Sequence, residues 1–326
     1  MGRVDVHHHF YPDVYTKAIQ QANGDPSGWT IPPWTLTADR ELCASLNISK
    51  AILSATAPGP DIERDPHRAA TLARQINEAG AAIAASDPTH YAFFASVPTL
   101  LAPDLALAEI AYALDTLHAR GVILMTRYGS DAHYLGHADF IPIWTELDRR
   151  HAVVFIHPTH PVDTTHVNPH LPGPMFDYPH ETGRTAMDLL TSGRMPSIRN
   201  CKVILSHAGG TLPYIFMRAA GMLPYTPFTT GSSTAELLKE ARRFYFDTAI
   251  SCNEFTLGLL MRFAEEGHVL FGTDFPNAPR EGIEFFEGEW GKFVGGDEAL
   301  RRGVEWENAV GVFGEGVVEG GKGGEL

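Results

Sequence analysis

The chain has 326 residues, a hydrophobic fraction of 44% and a formal charge of -14. That length admits one large domain or two ordinary ones, with apolar content enough for a sizeable core. The acidic balance, much of it beyond Arg280, argues against nucleic acid and anionic membranes as partners; three widely spaced cysteines (Cys43, Cys201 and Cys252) imply a reducing, cytoplasmic compartment without a disulfide framework.

In chain order, eight strands are expected at 3–9, 50–56, 91–97, 121–126, 152–157, 202–206, 244–249 and 268–273. Short apolar runs bounded by turn signals fit strands buried on both faces. Helical spacing of apolar residues marks 39–46, 66–85, 104–120, 141–150, 184–192, 212–222, 234–243 and 254–266. Alternating strands and helices mean βαβ units and parallel pairing. Eight units predict an α/β fold of the closed (β/α)8 TIM-barrel kind, one domain over 1–313. An open doubly wound sheet would need a phosphate-binding glycine fingerprint, and no G-x-G-x-x-G follows any strand.

Two segments break the rhythm: 10–38, rich in Pro, Gly and Trp, and 158–183, rich in Pro and His. Both follow carboxyl ends of strands, which places them over the barrel mouth, where long loops tend to be functional. The stretch 314–326, mostly Gly, Glu and Val, is expected to fray. No apolar run approaches the roughly 20 residues that span a bilayer, and the amino terminus lacks the layout of a secretory signal.

Five apolar runs end on residues with metal chemistry: the first at His7-His8-His9, the others at His157, His207, Asp247 and Asp274. Ligands at the carboxyl ends of several strands are how a parallel barrel builds an active site. His7 and His9, two apart on a strand, share one face, whereas His8 points outward. His157 and Asp274 would complete an N3O shell suited to Zn²⁺, with Mn²⁺ or Fe²⁺ less favoured by ligand softness. The competing reading is a barrel core of hydrogen-bonded histidines, which would be costly to desolvate without partners. Residues 121–126 supply no Lys or Glu to bridge two ions, so a mononuclear site is expected. His207 fits either as a further ligand or as a base beside the metal; the need for an open coordination position favours the base.

Asp5-Val6-His7-His8-His9-Phe10, Phe155-Ile156-His157-Pro158, Ser206-His207-Ala208-Gly209-Gly210 and Gly272-Thr273-Asp274-Phe275-Pro276 resemble signature segments of the amidohydrolase-related metal-dependent decarboxylases. The likeness runs from residue 3 to about Phe313. Asp177 through Ala186 and Val203 through Tyr214 look closest to the fungal 6-methylsalicylate decarboxylases, with uracil-5-carboxylate and resorcylate decarboxylases also similar. The resemblance implies His7, His9, His157 and Asp274 as metal ligands, His207 as the catalytic histidine, and a homodimer.

The chain departs at its substrate arginines from the pattern of aminocarboxymuconate semialdehyde decarboxylase, the best-known member of that family, and Pro224-Tyr225-Thr226-Pro227 carries no base. A monocarboxylic aromatic acid is therefore favoured over a dicarboxylic one. The expected reaction is loss of CO2 from a hydroxylated aromatic acid, such as 6-methylsalicylate to m-cresol in secondary metabolism, with Asp274 or His207 giving the proton. Arg127 is the candidate for gripping the carboxylate, against a surface salt bridge. Trp29, Trp34, Tyr178 and Phe275 are candidates for the ring pocket, against ordinary loop packing. Glu181 would orient a metal ligand or simply begin a helix. Two rival functions keep the metal: hydrolysis of a lactone or amide, and a barrel scaffold without activity.

Overall fold

Among the described residues, eight parallel strands form the barrel wall: β1 Arg3–His9, β2 Ile48–Ser54, β3 Tyr91–Phe93 (continued by Ala95–Ser96), β4 Val122–Met125, β5 Val153–His157, β6 Lys202–Leu205, β7 Tyr245–Asp247 and β8 Val269–Leu270. The structure, a computed structural model, describes residues 2–318. β1 pairs with β2 and β2 with β3. The chain then passes Phe94, Ala95–Ser96 joins β4, and β4 through β8 follow in sequence order. Backbone bonds from Val6 N to the Phe271 carbonyl (3.0 Å), from Asp274 N to that of His7 (2.8 Å) and from His9 N to that of Phe275 (2.7 Å) close the ring. Gly272 permits this closure, because a Cβ there would lie 2.7 Å from the Cβ of His7.

The strands are buried on both faces because helices cover the outside. Val4, Val6, Ile52, Val122, Val154, Phe155, Val203, Ile204 and Phe246 are all inaccessible or nearly so, and they belong to one continuous apolar cluster. Cys43, Cys201 and Cys252 are free and buried. Among the described residues, no helix is long and apolar enough to cross a membrane.

Four features differ from the sequence-based expectation. The segment 10–38 contains a helix, Asp13–Gln21, whose Tyr15 hydroxyl bonds the Thr56 carbonyl at 2.7 Å. The segment 158–183 is loop only to residue 172; helix Gly173–Thr191 starts eleven residues before the expected 184 and contains Pro179. Its opening Gly-Pro is a good helix start, since proline at the first turn loses no needed N–H. Helix Arg280–Val294 was not expected at all. Glu315–Val318 forms a short helix within the stretch expected to fray, and residues 319–326 lie outside the described residues.

The two mouth segments touch. His166 Nε2 donates to the Ser27 carbonyl at 3.1 Å. Together with the loops after β2, β3 and β4 they surround an open cavity of ≈ 1040 Å³.

Candidate metal centre

The ends of β1, β5 and β8 bring His7, His9, His157 and Asp274 together, one donor atom of each lying within 4.8 Å of every other. His7 Nε2 is 3.0 Å from His9 Nε2 and 3.4 Å from Asp274 Oδ1, which is 3.2 Å from His9 Nε2. Donors held 2.0–2.1 Å from a tetrahedral ion are about 3.3 Å apart. The spacing therefore fits one ion.

Each imidazole is anchored through its other nitrogen. His7 Nδ1 meets Asp247 Oδ2 at 2.9 Å, His9 Nδ1 meets the Ser54 carbonyl at 3.2 Å, and His157 Nδ1 meets the Pro158 carbonyl at 2.7 Å. These acceptors hold the proton on Nδ1 and leave the Nε2 lone pair facing inward, the tautomer a metal requires.

The electrostatics also favour a cation. Burial pulls the His7 imidazole down, but Asp247 and then Asp274 outweigh it and raise its pKa to about 10. Burial pushes the Asp274 carboxyl up, yet hydrogen bonding to His7 and His9 holds it well below its ordinary range. Burial lowers His9, and burial with neighbouring imidazole charge takes His157 well below its ordinary value. The Asp274 carboxylate and the imidazoles of His9 and His157, which resist protonation, thus make a pocket suited to a divalent ion, and such an ion would take the place of the second proton on His7.

His207 stands beside this group, its ring centroid 4.7 Å from that of His7. Its Nδ1 donates to the Ala249 carbonyl at 3.1 Å, and burial followed by the His7 charge lowers its pKa. His207 is therefore a neutral acceptor at Nε2. The backbone is left-handed at both His207 (φ 55°) and Asp274 (φ 64°), a conformation that non-glycine residues adopt rarely. Gly210 lets the histidine loop pack, since a Cβ there would lie 2.2 Å from the Pro179 carbonyl oxygen.

Two supporting residues were not assigned from the sequence. Asp247 was visible as a strand-ending acid, but its role was not. It takes His7 Nδ1–H on one oxygen and the backbone N–H groups of His207 (3.0 Å) and Ala249 (2.9 Å) on the other. Asn277 donates to Asp274 Oδ1 at 3.3 Å and accepts from the Tyr11 hydroxyl at 2.6 Å. Its place three residues after Asp274, in the same turn, was the available signal.

The remaining sequence candidates divide. Tyr178 faces the donors: it is buried, its ring centroid lies 6.3 Å from that of His157, and its hydroxyl has no hydrogen-bond partner of good geometry. Phe275 does not. The left-handed turn at Asp274 sends it outward against His8 (5.2 Å between centroids), beside a small cluster with Leu42, Ala278 and Ile283. Trp34 is also off the pocket, its indole donating to Asp39 Oδ2 at 3.0 Å. Glu181 accepts from the Tyr134 hydroxyl with both oxygens, at 3.0 Å each, so Asp247 rather than Glu181 steadies an imidazole here. His8 points out of the barrel as expected, yet it is wholly buried between Asp5 and Asp39.

Arg127 lines the cavity, but its donors go to backbone carbonyls: Nε to His160 (2.9 Å), Nη1 to Gly129 (2.8 Å) and Nη2 to Pro161 (3.0 Å). It braces two mouth loops rather than presenting a free fork to a carboxylate. Arg127→Met is accordingly expected to lower stability by about 1.5–3 kcal/mol through lost charged hydrogen bonds, read by urea unfolding. A raised KM at unchanged stability would restore the carboxylate role.

The cavity holds one further unusual acid. Asp61 Oδ1 is buried with no hydrogen-bond partner, and burial, opposed only by the Thr99 hydroxyl, raises the carboxyl to about 7. Because the folded chain holds this proton more tightly than the unfolded chain, the stability it confers is complete below about 3.8 and lost as pH rises through about 7. Asp61→Asn is expected to raise the melting temperature at pH 8 relative to wild type and to lose that advantage at pH 4. A pH-independent difference would contradict this.

Residues 4–314 match the Amidohydrolase family. The chain is 63% identical over 287 residues to a 6-methylsalicylic acid decarboxylase of Aspergillus aculeatus, covering 87% of each chain. It superposes on an amidohydrolase II crystal structure with a TM-score of 0.86 at 27% identity, covering 96% of this chain and 100% of that one. A dihydroxybenzoic acid decarboxylase from Polaromonas sp., solved with manganese and 2-nitroresorcinol, gives a TM-score of 0.77 at 23% identity and covers 96% of each chain, a likeness of fold. A match running nearly from end to end, on a closed barrel of the same shape, makes this chain a member of the Amidohydrolase family.

Proposed function

We propose that the protein is a metal-dependent carboxy-lyase that converts 6-methylsalicylate to m-cresol and CO2. The observation that carries the substrate is the 63% identity to the Aspergillus decarboxylase; the reaction type is supported by four inward-facing donors beside a neutral histidine. His7, His9, His157 and Asp274 would hold one divalent ion. The N3O donor set favours zinc, with manganese the competing ion. When bound, that ion supplies Lewis acidity toward the carboxylate and the ortho hydroxyl of the acid.

The chain's own residues manage the proton. Asp274 enters ionised, so it must take up a proton before delivering one. The ortho hydroxyl of the substrate supplies that proton, and the ring carbon bearing the carboxylate receives it. The carbon becomes tetrahedral, the bond to the carboxylate breaks, its electrons return to the ring, and CO2 leaves. The phenolate product regains a proton from water. His207 keeps its own proton on the Ala249 carbonyl and has none to give at Nε2, which favours Asp274 over His207 as the donor to carbon. Tyr178 closes one side of the ring site and excludes water.

A cytoplasmic homodimer completes the proposal. Tyr214, Met217, Met222, Tyr225 and Phe228, all largely exposed, form apolar surface on and after helix Leu212–Met222 of the kind that second copies cover. Sedimentation would check it.

The test is turnover of carboxyl-¹³C 6-methylsalicylate. Equal amounts of ¹³CO2 and m-cresol are expected, lost on chelation and restored by one divalent ion. Hydrolysis of a lactone or amide, with the aromatic acid untouched, would overturn the reading in favour of a hydrolase.

A further inference from the structure

Outside the barrel mouth, the hairpin Arg127–Tyr128/His133–Tyr134 and the 3-10 turn Ala138–Phe140 that follows it hold a second group of ligand-type residues. His133, His137 and Asp139 place one donor atom each within 4.8 Å of the others. His133 Nε2 lies 3.6 Å from Asp139 Oδ2, and His137 Nδ1 lies 3.5 Å from the same oxygen. Those separations are close to the roughly 3.3 Å between donors of a tetrahedral zinc.

The protonation pattern suits a cation too. His133 Nδ1 is bonded to the Asp131 carboxylate, which keeps that nitrogen protonated and leaves the Nε2 lone pair free. A carboxylate behind a histidine in this way is the usual support for a zinc-bound imidazole. His137 Nδ1 accepts from the Asp139 backbone N–H at 3.2 Å, so it carries a lone pair and not a proton. The two rings are packed 4.2 Å apart between centroids, near Phe140. Among the described residues, no Lys or Arg side chain pairs with Asp131 or Asp139, so their two negative charges are answered only by imidazoles.

We infer that His133, His137 and Asp139 form a second, peripheral site for a divalent transition ion, zinc being the natural occupant, that pins the hairpin to the following turn. The three protein donors leave a fourth position for water, and the site is independent of the ion in the barrel. It bears on the mouth mechanically, because the hairpin carries Arg127, which braces the loop at His160 and Pro161.

The experiment uses the metal-loaded full chain, dialysed to remove loosely held ions and titrated with Zn²⁺ alone in a calorimeter, with bound zinc counted by elemental analysis. Wild type is expected to take up one further zinc per chain at micromolar concentration. The double variant His133→Ala/His137→Ala is expected to lose that ion and keep the first, and Asp131→Asn to bind the second about 10-fold more weakly. Zinc should slow amide exchange across residues 127–139 in wild type only. Equal uptake by wild type and the double variant, or no second ion in wild type, would overturn the inference. Loss of the barrel ion alone, in a His7→Ala/His9→Ala variant, would leave it standing.

Discussion

Asp274→Asn is expected to cut turnover by about 10³-fold or more while leaving a folded protein. The substitution separates chemistry from architecture because of where the residue sits. Its backbone is left-handed (φ 64°), a conformation asparagine tolerates better than most side chains. The bond from its N–H to the His7 carbonyl is unaffected, and the oxygen facing Asn277, His7 and His9 can be retained. What disappears is the negative charge facing His7 and His9 and, on the proposed mechanism, the capacity to carry a proton from hydroxyl to carbon. The checks are kcat on 6-methylsalicylate, near-ultraviolet dichroism and ion content. A variant that keeps a tenth of its activity would remove Asp274 from the proton path.

His8→Ala should act on stability instead. The His8 ring bridges Asp5 Oδ2 and Asp39 Oδ2 at 2.9 Å each, with all three side chains inaccessible. Burial alone would lower its pKa, but Asp39 and Asp5 raise it to about 10, so it is an imidazolium at neutral pH. Asp39 is further tied to Trp34 (3.0 Å) and the Tyr91 hydroxyl (2.6 Å), and Asp5 to the Thr273 hydroxyl (2.6 Å) beside the turn at Asp274. Removing the cation strands two buried carboxylates, a change of the kind that costs about 3–5 kcal/mol. Urea unfolding should show that loss, with kcat largely retained at low temperature in the fraction that stays folded. An unfolding midpoint within error of wild type would contradict the bridge. His7→Ala is expected to give the opposite pair of results, with activity lost and the ion released.

The contrast between His7 and His8 shows what the sequence carried and what it did not. Alternation along a strand told the two apart by face, because that period is a property of the backbone. It could not tell what stood behind His8, since Asp39 comes from a helix 31 residues away. The strand ends were legible for a similar reason: a fully apolar run that stops on a histidine or aspartate records both burial and the change to the mouth. Asp247 was visible in that way, but whether it met metal, substrate or imidazole depended on the closure of the barrel. The directions of Arg127 and Phe275 were not legible because they are set after the strand, by a hairpin in one case and by a left-handed turn in the other. The helix from Gly173 was missed because Pro179 reads locally as a stop, while in the fold that proline is accommodated and its carbonyl accepts from Thr211 N at 2.9 Å.

Diffraction recorded at the absorption edge of the resident metal tests the central claim most directly. The account predicts an anomalous peak inside the barrel, about 2.0–2.2 Å from Nε2 of His7, His9 and His157 and from a carboxylate oxygen of Asp274. Density from a fully metal-loaded, active preparation with no peak among those four side chains would contradict it.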